Sequence, residues 1–151
     1  MGLIDIASGN STWRGLDYCK ENKVSNYKKI SECEYQAILN GSNNNKYNVF
    51  MDIEHPRKSK CDCPHAKDRR VICKHIVALY FTAFPKEVNK FLKEVEEAEK
   101  EYEEYEEELE EKMIKYIKSM SKSELQETVL ELLYDGPEWQ YDRFIRYKVG
   151  Y

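Results

Sequence analysis

The feature that most constrains this chain is a cluster of cysteines and histidines between residues 61 and 75. It consists of two short motifs, Cys61-Asp62-Cys63-Pro64-His65 and Cys73-Lys74-His75. The 151-residue chain has 5 Cys and 3 His, and five of these eight residues fall within these 15 positions. Paired Cys and His residues at short spacing indicate a metal site. Because thiolate and imidazole are the ligands that zinc prefers at tetrahedral corners, we expect zinc as the cofactor.

Four side chains are expected to bind the ion, namely Cys61, Cys63, Cys73 and His75. Two cysteines at i and i+2 on an extended segment point to the same side, so both sulfurs can reach one ion. Pro64 ends that segment, and the loop up to Ile72 returns the second pair at the start of a helix. His65 stays open as an alternative ligand to His75. The isolated Cys19 and Cys33 are expected to be small buried hydrophobes.

The sequence before the cluster has the pattern of β-strands from Trp13 to Ile53. Apolar and polar residues alternate along residues 33–39 and again along residues 47–53, and this period of two places one set on each face of a strand. The turn-forming segment Gly41–Asn45 lies between them and predicts a β-hairpin. Val24–Ile30 is expected to add a third antiparallel strand. Such a sheet needs a cover over its apolar face.

Helices are expected after the cluster. A short apolar helix that ends before Pro85 is predicted to cover the sheet, followed by a long helix over about 86–120. Ser121 and Glu124 have capping-box spacing and predict another helix over about 122–134, before a short terminal piece. The predicted fold class is therefore α+β: a small antiparallel sheet with a Cys3His zinc site and a short helix, then a helical C-terminal half. The expected domains are residues 11–85 and 86–151.

The long Glu-rich helix has an apolar stripe with heptad spacing. Eight of its ten positions are apolar or aromatic, and the ten are Val88, Leu92, Val95, Glu99, Tyr102, Glu106, Leu109, Met113, Tyr116 and Met120. Such a stripe favours a coiled coil with a second copy or with a partner helix, and so a protein-interaction or oligomerisation role. It is equally compatible with a hairpin in which the helix packs against the chain's own C-terminal helices. Both interpretations remain open.

Charge is distributed unevenly along this chain of net charge −4. Residues 1–85 carry 13 basic and 9 acidic residues, whereas residues 86–112 carry 5 basic and 13 acidic ones. The basic side chains close to the zinc motifs are candidates for phosphate contacts. These candidates are Arg57, Lys58, Lys60, Lys67, Arg69, Arg70 and Lys74. Stacking surfaces for bases are expected from Tyr18, Tyr27, Tyr35 and Tyr47. DNA is thus an expected partner, although charged loops and strand tyrosines also occur without any ligand.

The order Cys-x-Cys, a spacer, Cys-x-His and an apolar helix resembles the SWIM zinc finger, in particular its bacterial members. A weaker resemblance extends upstream to Arg14-Gly15-x-x-Tyr18 and the following strands. The resemblance implies a ββα-like zinc fold with the four ligands named above and a role in DNA binding or protein interaction. Because such domains occur in proteins linked to Swi/Snf-type ATPases, it also implies an accessory role beside a helicase-like ATPase. It implies no catalytic activity.

Two other classes of protein are not supported by the sequence. Four sulfur and nitrogen ligands would leave no open position for a catalytic water on zinc, and neither His-Glu-x-x-His nor the deaminase signature occurs. No apolar run reaches the length of about 18 residues that a membrane span requires, and the N-terminus has no signal-peptide pattern. The expectation is a non-catalytic, cytoplasmic protein in which cysteines bind metal instead of forming disulfides.

Overall fold

The computed structural model describes residues 2–41 and 45–150. Their contacts divide the chain into two compact units, Met1–Val95 and Glu96–Tyr151. The first unit contains a four-stranded antiparallel sheet and its covering helices, and the second is helical. The α+β fold class predicted from the sequence is confirmed.

After a short 3-10 helix at Ile4–Ile6, the first unit has an α-helix that the sequence pattern did not indicate. Helix α1 spans Gly9–Lys20, so the prediction of strands from Trp13 onward is wrong for this stretch. The Ser8 side chain caps the helix by accepting a hydrogen bond from the backbone N–H of Ser11 at 3.2 Å. The helix starts with Gly, Asn, Ser and Thr, which are weak helix formers, and it is stabilised by burying Leu16 and Tyr18.

Four strands form the sheet in the order β1-β2-β3-β4, and all neighbours are antiparallel. Their bounds are β1 Val24–Lys29, β2 Glu34–Asn40, β3 Lys46–Asp52 and β4 Lys60–Cys61. Strands β2 and β3 pair without a break from Glu34 opposite Asp52 to Asn40 opposite Lys46, which confirms the expected hairpin. Within its predicted turn, residues 42–44 lie outside the described residues. The third strand is confirmed as β1, which is irregular at Asn26, where φ is 51°.

The hydrophobic core lies between one face of the sheet and helix α2, Lys74–Ala83. The inward residues are those that period two predicted, namely Tyr35, Ala37, Leu39, Val49 and Met51. Helix α2 covers them with Ile76, Leu79 and Phe81, each at most 1% exposed. Burial of each such side chain stabilises the fold by about 1.5–3 kcal/mol. The opposite sheet face carries Ile38 and Phe50, which stay half exposed.

Helix α3 runs from Pro85 to Ser119. Within the first unit its residues Val88, Phe91 and Leu92 pack against the core, and the Phe91 ring lies 5.2 Å from that of Trp13. In the second unit, α4 spans Lys122–Asp135 and α5 spans Glu138–Phe144, followed by a π-helical turn over Ile145–Val149. The capping box predicted at the start of α4 is present: Ser121 and Glu124 each accept the other's backbone N–H.

The apolar stripe of α3 is exposed in the second unit. Tyr102, Leu109, Met113 and Tyr116 are between 46% and 67% exposed. The interpretation in which this stripe packs against the chain's own later helices is therefore wrong. Among the described hydrophobic side chains of this unit, Leu133 alone is buried, at 9% exposure. No helix in the described part of the chain is both long and apolar enough to cross a membrane.

Candidate metal centre

The four expected ligand residues come from two elements of the first unit. Cys61 ends β4 and Cys63 follows it, while Cys73 is the N-cap of α2 and His75 lies in its first turn. Their three sulfurs and one ring nitrogen all lie within 4.8 Å of one another. Each residue is at most 4% exposed. A strand end and a helix start thus bring the two pairs into one buried tetrad.

The imidazole of His75 is oriented toward the cysteines. Its Nδ1 lies 3.6 Å from the Cys61 sulfur and 4.0 Å from the Cys73 sulfur. The ring stacks on Tyr47, with centroids 4.7 Å apart, and a tilted contact at 5.4 Å joins it to Tyr18. His65, in contrast, is exposed and does not belong to the described cluster. The structure therefore brings His75, and not His65, to the sulfurs.

The charges in the tetrad fit a divalent cation. The Cys61 thiol donates to the Cys73 sulfur, and this hydrogen bond lowers the pKa of Cys73 to about 4 while it raises the pKa of Cys61. Burial raises the pKa of Cys63, and the charge on Cys73 adds to the effect. Without a metal ion, the surroundings thus favour a thiolate at Cys73 and protonated thiols at Cys61 and Cys63. A zinc ion would supply the positive charge that holds all three as thiolates, so this Cys3His set is suited to binding zinc.

A second layer of side chains supports the tetrad, and it comes from the Arg14-Gly15-x-x-Tyr18 motif on α1. Gly15 packs so closely on α2 that a Cβ there would lie 2.5 Å from the Val77 side chain and 2.9 Å from the Lys74 carbonyl oxygen. Tyr18 contacts the His75 ring, and its hydroxyl accepts a 2.7 Å hydrogen bond from Lys74 Nζ. This explains in physical terms why the motif accompanies the zinc residues.

The loop between the ligand pairs is fixed at its beginning by Cys63. The carbonyl oxygen of Cys63 accepts the backbone N–H groups of Ala66 at 3.0 Å and Lys67 at 2.8 Å. Ala66 is buried in the core, and its carbonyl accepts the N–H of Arg69 at 3.0 Å. The loop that carries the basic side chains is therefore attached to a metal-site residue through its backbone.

A broad concave surface of about 1600 Å³, which we call the basic groove, lies against the outer face of the sheet. Gln36, Ile38, Asn48 and Phe50 form its floor. Seven cations line it, namely Lys28, Arg57, Lys58, Lys60, Lys67, Arg69 and Arg70. Its described carboxylates are Asp62 and Asp68, and so its net charge is +5. Asp62 is engaged by Asn48, whose backbone and side-chain N–H groups donate to it at 2.9 and 2.8 Å.

Six of the seven basic residues singled out from the sequence thus line one surface, and the seventh does not. Lys74 lines a separate concavity beside the metal centre, because α2 begins there and turns the chain away. Sequence reasoning missed Lys28, which is distant along the chain and reaches the groove through β1. It also missed Phe50, although the period of two already placed this aromatic residue on the outer face.

The tyrosines expected to stack on bases have other roles in the structure. Tyr18 and Tyr35 are buried in the core, and Tyr47 packs on the His75 ring. Tyr27 is 43% exposed and stacks on Tyr35. Phe50 is the aromatic side chain that the groove presents instead.

The family model of the SWIM zinc finger matches residues 47–84. Residues 47–84 are thus similar to a SWIM zinc finger. The match covers 38 of the 151 residues, from Tyr47 in β3 to Phe84 after α2, and includes all four residues of the tetrad. SWIM zinc fingers are binding modules, and this one contains a cluster suited to zinc. No curated protein and no solved structure matches the chain.

Proposed function

We propose that this chain is a non-catalytic zinc module that binds nucleic acid, and DNA in particular, in the basic groove. Zinc held by Cys61, Cys63, Cys73 and His75 has a structural role in this proposal. The zinc-binding domain, residues 11–85, supplies the nucleic-acid surface. The helical extension, residues 86–151, supplies a separate surface for proteins.

The observation that carries the proposal is the composition of the groove. A net charge of +5 is concentrated on one concave surface of a protein whose overall net charge is −4. Local charge of this kind attracts a phosphate backbone even when the whole protein is acidic. The floor adds the half-exposed Phe50, and base stacking on an aromatic side chain contributes about 1–3 kcal/mol per base. Gln36 and Asn48 add amide groups that can hydrogen-bond to bases.

Zinc matters to the groove because the loop with Lys67, Arg69 and Arg70 begins at Cys63. The backbone hydrogen bonds to the Cys63 carbonyl hold the start of this loop against the metal centre. A bound ion would fix the position of Cys63 and so reduce the freedom of these cations before binding. Side chains held in place in advance lose less entropy when they contact phosphates.

The test is fluorescence anisotropy of labelled single- and double-stranded DNA titrated with zinc-loaded protein at several salt concentrations. If about four of the seven cations contact duplex phosphates, log K falls with log salt at a slope of about −3.6. Between 50 and 200 mM salt, affinity would then fall by about 150-fold. Arg69→Glu combined with Arg70→Glu is expected to abolish measurable binding while zinc content and melting temperature stay unchanged.

The matched control is Lys20→Glu combined with Lys86→Glu. These two lysines are exposed, lie outside the groove, and give the same change in net charge. Binding should persist in the control, with only a small loss from long-range repulsion. Equal loss in both double variants would mean that net charge alone governs the interaction. Wild-type protein that binds neither DNA form at low salt would refute the proposal.

A second function, protein interaction through the helical extension, is favoured by the exposure of the α3 stripe. Tyr102, Leu109, Met113 and Tyr116 are exposed positions of the stripe, interrupted by Glu106, and none has a covering element among the described residues. Exposed apolar side chains that recur along one helix face suit contact with another protein. A second copy of the chain or a helicase-like, Swi/Snf-type ATPase stays the predicted partner. Sedimentation equilibrium of wild type against Leu109→Glu with Met113→Glu tests the first possibility, and copurification with a purified ATPase of that type tests the second.

A further inference from the structure

A second concavity, of about 450 Å³, lies beside the metal centre and shares no lining residue with the basic groove. We call it the α1–α2 pocket. The start of α1 contributes Ser8, Asn10, Ser11 and Arg14. The start of α2 contributes Cys73, Lys74 and His75, and the zinc loop adds Pro64 and His65. Neither the SWIM match nor the proposed nucleic-acid groove gives this pocket a role.

The pocket contains two cations and, among its described lining residues, no carboxylate. Arg14 is exposed on α1 and makes no ion pair with any described residue. Lys74 is half-buried and gives one N–H to the Tyr18 hydroxyl, which is neutral, at 2.7 Å. An ammonium has three N–H groups, so others remain for a ligand. No described carboxylate lining the pocket balances the charges of these two side chains.

The starts of two helices add to this positive potential. Helix α1 has 12 residues and α2 has 10, and residues from the first turn of each line the pocket. Helix N-termini carry a partial positive charge and unpaired N–H groups, which favour anions.

His75 provides an independent observation that points to a ligand in the pocket. It lines the pocket, is 3% exposed, and its Nε2 has no hydrogen-bond partner among the described residues. Its other ring nitrogen, Nδ1, is directed to the cysteine sulfurs. A buried polar atom without a partner is rare in folded proteins and calls for an explanation. An acceptor oxygen at this end of the pocket would give Nε2–H the partner it lacks.

We propose that the α1–α2 pocket binds a phosphate-class oxyanion through Arg14 and Lys74, independently of nucleic-acid binding in the basic groove. The guanidinium of Arg14 can donate two parallel N–H groups to such an anion. Lys74 adds a charged donor, and the helix starts add backbone N–H groups. The same chemistry is offered by a free phosphate compound and by the terminal phosphate of a nucleic-acid strand.

The competing explanation is that the two cations only balance the metal centre. Zinc with three thiolates has a net charge of −1, and Cys63 and Cys73 both line the pocket. In that case Arg14→Gln would lower zinc affinity and would have no effect on any phosphate response. Zinc content is therefore measured in every variant.

The experiment titrates inorganic phosphate into the zinc-loaded 151-residue protein at constant ionic strength and follows backbone amides by two-dimensional NMR. Saturable shifts at residues 8–14 and 73–75 are expected. Arg14→Gln should weaken phosphate binding by at least about tenfold, which corresponds to loss of one charge-assisted contact. Lys74→Gln should act in the same direction. Arg57→Gln, in the basic groove, is the control and should leave the phosphate response unchanged.

Oligonucleotides of identical sequence with a 5′-phosphate or a 5′-hydroxyl distinguish the two sources. Tighter binding of the phosphorylated strand, with the difference removed by Arg14→Gln, would assign the site to a strand end. Equal binding of both strands, together with the inorganic phosphate response, would assign it to a free phosphate compound. Absence of any amide shift up to about 20 mM phosphate, or an equal response in Arg14→Gln, would overturn the proposal. Neither result depends on whether the basic groove binds DNA.

Discussion

Replacement of Cys73 by serine should destabilise the first compact unit far more than an ordinary surface substitution. Structural zinc in finger peptides binds with about 10–16 kcal/mol, which corresponds to dissociation constants from about 50 nM down to about 2 pM. At a free zinc concentration of about 1,000 times Kd, binding stabilises the native state by about 4 kcal/mol. For a unit of this size, Met1–Val95, each kcal/mol shifts the melting temperature by about 4–8 °C. Full loss of zinc should therefore lower it by about 16–32 °C.

The structure predicts which residues lose protection first when zinc is lost. Cys73 caps α2 and is 1% exposed, so its loss removes a metal ligand at the start of the helix that covers the sheet. Hydrogen exchange followed by mass spectrometry should show faster exchange over residues 61–83 in Cys73→Ser, with the same pattern in wild type treated with a chelator. Cys33→Ser is the control, because Cys33 is half-buried and lies outside the described tetrad.

The result that would refute this reasoning is clear-cut. If Cys73→Ser and the chelated wild type melt at the temperature of the zinc-loaded protein, with unchanged exchange over residues 61–83, the tetrad does not hold a stabilising ion. A melting temperature that falls as far in Cys33→Ser would instead show a general sensitivity to cysteine replacement. Zinc content measured by elemental analysis separates these two cases.

Two further substitutions test features outside the tetrad. Gly15→Ala should destabilise the first unit by about 1–2 kcal/mol in chemical denaturation, because the overlap of the new methyl group with Val77 outweighs the better helix propensity of alanine. A more stable variant would show that α1 and α2 are not in close contact. Ser121→Ala should lower the local stability of α4 by about 1 kcal/mol, because it removes the capping box. The measurement is amide exchange at the start of α4, which should become faster. An unchanged exchange rate there would argue against the cap.

Several elements could be predicted because their signal is local in the sequence. The period of two over residues 33–39 and 47–53 placed Tyr35 and Val49 on the core face, since each strand has one face against α2. The Cys/His spacing predicted a tetrad because the two side chains of each closely spaced pair can reach the same ion. The capping box at Ser121 predicted the start of α4 for a similar reason: both of its hydrogen bonds lie within three residues.

Other features depended on contacts between distant parts of the chain. Helix α1 begins with weak helix formers, and its stability comes from burial of Leu16 and the close approach of Gly15 to Val77, 62 positions later in the chain. Tyr18 and Tyr47 looked available for stacking, but both pack around His75. These contacts join residues that are far apart in the chain, and no periodic pattern in the sequence indicates them.

The separation of Lys74 from the other basic residues has the same origin. Along the sequence it is four positions from Arg70, yet the two side chains line different concavities because α2 starts between them. Lys28 shows the reverse case: it is 29 positions before Arg57 and lines the same groove. Basic residues that are close in the sequence therefore need not share a surface, and the positions of the helices and strands decide which of them do.

The position of Cys63 links the binding of zinc in the tetrad to the binding of nucleic acid in the basic groove. This residue presents its sulfur to the metal tetrad and its carbonyl to the loop that carries Lys67 and Arg69. Two ligands that both favour one conformation of a shared segment must assist each other by the same free energy in either direction. Occupancy of the basic groove should therefore raise the affinity of the tetrad for zinc, measured as a smaller loss of zinc to a competing chelator at equilibrium. The tetrad would bind zinc most tightly while the basic groove is occupied, and least tightly while the groove is empty.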